Sequence, residues 1–186
     1  MLDLLSRVPG IDSGVGLVLS SGSSSDMFLQ LHYCSTFLKK GKRIVLITSH
    51  LNVSSYRIIF SRLALRWDSD MITFIDLDRI LGDNLHVDVE KIHATLLDQS
   101  VNMSSLLIFD DVSVLERLGV ESSTVLCLLN KLYCRMEADG LLLALFALKT
   151  NAFRAMSCKT DFIIHLAPIG LGFGKDVTGQ AFGILP

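Results

Sequence analysis

Six short apolar runs punctuate the chain, at residues 15–19, 43–48, 71–75, 106–109, 141–148 and 162–166. Within each run the apolar positions are near-continuous rather than alternating, the mark of strands covered on both faces. Segments of helical period lie between them. In the first, Met27, Phe28, Leu31, Cys34, Phe37 and Leu38 form one apolar stripe, and residues 39–41 close it with cations and a glycine, as a helix C-terminus favours. A second helix is expected over 54–65. A third spans 89–99, with Ile92, Leu96 and Leu97 on one face. A fourth spans 122–136, with Val125, Leu129, Leu132 and Met136 on one side, and a short fifth covers 152–158. Alternation of this kind predicts an α/β fold with a mostly parallel central sheet, helices on its faces and right-handed crossovers. The end of the chain differs. Residues 162–166 lead through 170–179 into 180–185, which predicts an antiparallel hairpin on the sheet edge. With no internal repeat and no linker, residues 1–186 read as one domain.

Composition narrows the function classes. Half of the 186 residues are apolar and 19% are charged, and the mean hydropathy is +0.48. Such a chain fits a doubly covered sheet or a subunit whose surface is hidden by partners. Residues 141–148 are the longest apolar run, well short of the ~20 needed to span a bilayer. The opening MLDLLSRVPG carries Asp3 and lacks the apolar core of a signal peptide. Cys34, Cys127, Cys134 and Cys158 include no C-x-x-C pair; three sit in helix-like or turn contexts where a buried thiol serves as a small hydrophobe, and Cys127 and Cys134 share one helical face, where core packing is expected. A reducing, cytoplasmic setting is expected, with the nucleus as a second location. The net charge of −2 gives no global attraction to nucleic acid. His32, His50, His86, His93 and His165 show no paired ligand spacing, so neither a metal nor a cofactor is expected.

The candidate chemistry begins after the first run. Residues 20–26, SSGSSSD, place a small-residue turn between a strand and a helix start, the layout of a phosphate-binding loop. In that loop glycines let backbone N–H groups wrap phosphates, a lysine supplies charge and a hydroxyl binds magnesium. In register with a helix starting at Met27, Leu19 and Ser24 stand at the glycine positions, Ser25 at the lysine and Asp26 at the hydroxyl. The nearest downstream lysine is Lys39. Ser20, Gly22, Ser24, Ser25 and Asp26 therefore form a degenerate nucleotide loop. The reading preferred for them is a capped turn with Ser25 or Asp26 as N-cap. A second nucleotide-site feature is LLIFDD at 106–111. Apolar residues ending in acids resemble a Walker B strand whose carboxylate would hold magnesium. Asp110 or Asp111 serves equally as a cap for residues 113–118. With no phosphate cradle, neither acid is assigned a catalytic task. Asp76 and Asp78 begin a turn. The run Lys39, Lys40, Lys42 and Arg43 sits where a helix end favours cations.

Two later stretches resemble the sixth subunit of Elongator. Residues 110–115, DDVSVL, followed by Leu118-Gly119, are similar to that family's D-D-L-S-V-L-x-x-L-G segment, and GLGFGKDVTGQ at 170–180 is similar to its G-x-x-T-G-F-x-x-D-V-x-G-Q stretch. The resemblance spans about residues 15–185. It implies a RecA-like domain without a working Walker A sequence. Such a subunit joins Elongator's fourth and fifth subunits, its RecA-like paralogues, in a hetero-hexameric ring that binds tRNA and docks on the catalytic Elongator subcomplex, which modifies wobble uridines. On that reading the chain is not an enzyme, and any ATPase activity belongs to the assembled ring. In rings of this class the loops after the fourth and fifth strands face the channel, near 112–122 and 149–160 here. The second carries Lys149, Arg154 and Lys159 with no acid before Asp161, and is the candidate tRNA-facing loop. The alternatives are a divergent RecA-type ATPase and a RecA-like accessory protein of DNA recombination repair.

Overall fold

The structure, a computed structural model, describes residues 13–21, 26–81, 90, 92, 94, 95, 105–168 and 179–184. Seven strands form one sheet: β1 (Gly14–Ser20), β2 (Ile44–Thr48), β3 (Ile72–Asp76), β4 (Leu106–Asp110), β5 (Leu141–Phe146), β6 (Phe162–Pro168) and β7 (Gly179–Ile184). Their order is β3-β2-β4-β5-β1-β6-β7. The first six are mutually parallel, and β7 pairs antiparallel with β6, Ile163 facing Ile184. The expected hairpin edge is therefore present. The tail motif at 170–178 lies outside the described residues.

The helices are α1 (Met27–Lys39), α2 (Val53–Arg62), α3 (Leu77–Leu81), α4 (Ser113–Arg117), α5 (Ser122–Tyr133) and α6 (Asn151–Met156). They explain the continuous apolar strands. In β5, Leu142, Ala144 and Phe146 face a core shared with α5 and α6. Leu141, Leu143 and Leu145 face a second core shared with α1 and α2. Period-two alternation thus feeds two cores, so every position must be apolar. Gly16 in β1 has a packing reason: a Cβ there would lie 2.1 Å from the Phe162 ring on β6. Gly41 has a conformational one. It takes φ +68° just past α1, where the N–H groups of Gly41 and Lys42 donate back to Leu38 and Phe37 at 3.0 Å each.

Several expectations are corrected. The buried face of α1 is Leu29, Gln30, Tyr33, Cys34 and Phe37, while Met27, Phe28, Leu31 and Leu38 pack only partly. The stripe is rotated because a polar residue, Gln30, turns inward to hydrogen-bond partners. β5 ends at Phe146 rather than 148, leaving Leu148 half exposed. Asp76 ends β3, and a helix rather than a turn follows. Cys34 alone is a buried thiol; Cys127, Cys134 and Cys158 are exposed, since the inward positions of α5 go to Val125, Leu128, Leu129 and Leu132. Of the expected third helix, Ile92 is buried, whereas Leu96 and Leu97 lie outside the described residues. No helix among the described residues is long and apolar enough to cross a membrane.

Candidate functional site

The carboxyl ends of β1, β2 and β4 open at one end of the sheet, where parallel α/β folds place their ligands. Ser20 ends β1, Thr48 ends β2 and Asp110 ends β4, and α1 starts beside them at Met27. Of the degenerate loop, Gly22, Ser24 and Ser25 lie outside the described residues. Asp26 occupies the N-cap position of α1, but its side chain makes no capping bond to the helix. Of the two expected caps, Asp26 thus holds the N-cap position without a side-chain cap, and Ser25 lies outside the described residues. The Asp26 carboxylate instead accepts hydrogen bonds from the Ser20 hydroxyl (3.1 Å) and the Gln30 amide (3.3 Å).

The network continues inward. Tyr56 on α2 donates its phenol proton to Oε1 of Gln30 at 2.7 Å. Gln30 also lies beside the Asp110 carboxylate and favours its charged form, and Thr48 does the same for the Tyr56 phenol. Gln30, Thr48 and Tyr56 are each only 1% exposed, and Asp110 4%. One buried chain therefore runs from Ser20 through Asp26, Gln30 and Tyr56, with Asp110 beside it. Burial pushes the Asp110 carboxyl up to about 6, and the neighbouring Asp26 charge pushes the same way. Burial also raises Asp26, against the Ser20 and Gln30 bonds and the nearby His50. The Tyr56 phenol is raised by burial and by Asp110.

Asp111 turns to the other side of β4, and the Asp110–Asp111 peptide is cis. Its Oδ1 accepts from the Ser113 N–H (2.9 Å), the Ser113 hydroxyl and the Ala147 N–H (3.1 Å). Its Oδ2 faces Arg117 at 3.3 Å and His50 at 3.9 Å. Asp111 thus holds the start of α4, as expected of one of the two acids, and ties it to the residue after β5. Glu116 extends the bracing, accepting from the Ser122 hydroxyl (2.6 Å) and the Ala152 N–H (3.3 Å). The segments after β4 and β5 are fastened together.

These groups decide what the site can hold. A helix N-terminus favours an anion by about 0.3–1 kcal/mol. A like charge about 4 Å away costs about 4 kcal/mol at an effective dielectric near 20. A phosphate at the start of α1 would lie near Asp26, whose negative charge opposes it. The half-exposed His50 and Arg117 are turned toward Asp111. Among the described residues no cluster of His, Cys, Asp and Glu has metal-holding geometry.

The basic loop is divided. Lys149 follows the carboxyl end of β5, Arg154 lies on α6, and Lys159 precedes the amino end of β6. The strands are parallel, so Lys149 and Lys159 stand at opposite ends of the sheet. All three are exposed, with no ion pair among the described residues, and Phe153 between them is buried. Lys42 of the other basic run pairs with Glu137 at 3.4 Å.

Sequence reasoning missed Gln30, Thr48, His50 and Tyr56 as members of the site. One signal was available: Asp26 and Gln30 stand i,i+4 across an otherwise apolar stripe. Tyr56→Phe leaves the Gln30 carbonyl oxygen without its phenol donor, and the expected cost is about 1–3 kcal/mol in urea unfolding. An unchanged midpoint would show that this bond contributes nothing.

A parallel sheet of this order, covered by helices on both faces and with Asp110 and Asp111 at the end of β4, is a RecA-like fold. The chain is similar over 98% of its length to the flagellar accessory protein FlaH from Methanocaldococcus jannaschii, with a TM-score of 0.73, 15% sequence identity and 84% of that chain covered. No family model and no curated protein matches the sequence.

Proposed function

We propose that the chain is a non-catalytic RecA-like subunit of the Elongator accessory ring, a hetero-hexamer with the fourth and fifth subunits that binds tRNA for wobble-uridine modification. The observation that supports this reading is Asp26. A carboxylate stands where a phosphate-binding loop needs a hydroxyl, locked to Ser20 and Gln30 and backed by buried Asp110. The former phosphate site is an acid network that braces strands and helices. The DDVSVL and DVTGQ stretches support the Elongator assignment. The segments after β4 and β5, braced through Asp111 and Glu116, form a stiff rim suited to a subunit contact.

Co-expression with candidate fourth and fifth subunits tests the reading. The expected result is a complex of hexameric mass that shifts tRNA, from a chain that alone gives no thermal upshift with magnesium and ATP. A chain that stays monomeric beside them and hydrolyses ATP alone overturns it. In the assembled ring, Lys149→Gln, Arg154→Gln and Lys159→Gln together are expected to weaken tRNA retention without loss of assembly. Each phosphate contact removed lowers the salt slope by about 0.7–0.9. Equal affinity for tRNA rejects the basic loop as a contact.

A further inference from the structure

The outer face of α2 joins two features that soluble surfaces keep apart. Ile58 is 56% exposed and Leu63, at the end of the helix, 51%; with Leu148 they are the large hydrophobics most exposed among the described residues. Around them, residues 52–67 carry Arg57, Arg62 and Arg66 and no acid at all. The three arginines are exposed and have no ion pair among the described residues. The helix buries Tyr56 and Phe60, which leaves Arg57, Ile58 and Arg62 on the outward arc. The Arg57 guanidinium stacks over Trp67, 5.6 Å from the ring centroid. Trp67 is itself wedged against Phe60 and Phe74, so this cation is positioned before any partner arrives.

We propose that this face docks another protein through a surface of aliphatic side chains ringed by carboxylates. Three observations select that chemistry. Two exposed aliphatic side chains, Ile58 and Leu63, need a desolvating partner, which a phosphate backbone does not offer. The cations are arginines rather than lysines, the choice typical of interface cores, where a planar fork can pair with a carboxylate bidentately. A pre-stacked arginine beside an aliphatic centre matches the anchors that carry most binding energy. The charge complement is then acidic. This docking surface does not depend on the ring assignment, because α2 presents it whatever fills the site at the strand ends.

The test titrates the isotope-labelled full chain with a synthetic helical peptide of about 18 residues, leucines on one face and glutamates beside them. A twin peptide carries lysines for glutamates, and a short RNA duplex forms the third arm. The acidic peptide is expected to shift amide signals over α2, and the lysine twin to leave them unmoved. Arg57→Gln with Arg62→Gln and Arg66→Gln is expected to weaken binding at least about tenfold, as is Ile58→Ser with Leu63→Ser, with unchanged thermal unfolding. Ile58→Ser alone gives a milder version should the pair unfold the chain. No response to the acidic peptide, equal binding of the twin, or variants that bind as tightly as the parent would overturn the proposal. So would RNA mapping to α2 in place of the peptide.

Discussion

Phe60→Ala is expected to lower the unfolding free energy by about 3–5 kcal/mol and the melting temperature by on the order of 10 °C. The ring is wholly buried in the core between α2 and the sheet. It meets Trp67 edge-on with centroids 5.2 Å apart. Alanine removes the transfer free energy of the ring, leaves a cavity and forfeits an aromatic pair, and rigid β-sheet neighbours limit collapse into the gap. The same change loosens the support under Trp67, and with it the stacked position of Arg57. Calorimetry and urea unfolding measure the loss. A drop below about 1 kcal/mol would mean that α2 is not packed on the sheet as described.

Asp110→Asn is expected to act in the opposite direction. In the folded chain the Asp110 carboxyl is pushed up to about 6 from an ordinary 3.8, chiefly by burial and next by Asp26. The folded state therefore binds a proton that the unfolded state has released. Stability contributed by the protonated form is present at the lowest pH and is lost as pH rises from the ordinary value through about 6. By neutral pH the ionised carboxylate costs up to about 3 kcal/mol. An uncharged amide of the same shape removes that cost while keeping a partner for Gln30. The variant is expected to gain about 1–3 kcal/mol near pH 7.5 and to flatten the stability profile between about pH 4 and 7. Urea unfolding across that range measures both. A variant less stable than the parent at pH 7.5, with its pH slope intact, rejects the buried-charge account. The parent's retention of this acid is what a site inherited from a charged ligand would leave behind.

The architecture was legible because the strands needed no context. Continuous runs such as Leu106-Leu107-Ile108-Phe109 specify burial on both faces, and turn residues such as Gly41 mark where helices stop. The site was legible in part. The missing lysine and the acid at Asp26 could be read from a motif register. The rest of the network could not, because Tyr56 reaches Gln30, the partner of Asp26, only through tertiary packing of α2 on α1. Gln30 illustrates the difficulty. A hydropathy pattern assigns it to solvent, yet at 1% exposure it sits deeper than Phe28. Its hydrogen bonds to Asp26 and Tyr56 offset its desolvation. The spread of the basic loop was hidden for another reason. Lys149, Arg154 and Lys159 are close in sequence, but α6 intervenes and carries the chain from one end of the sheet to the other.

The division of the cysteines gives the molecule a built-in reporter. Cys127, Cys134 and Cys158 are open to solvent, whereas Cys34 sits on the buried face of α1 with its thiol pushed up to about 12 by burial. The thiolate attacks an alkylating reagent, so three sulfurs per chain label at once and the fourth only when α1 lifts from the sheet. The lag before the fourth label times that opening, without any engineered probe.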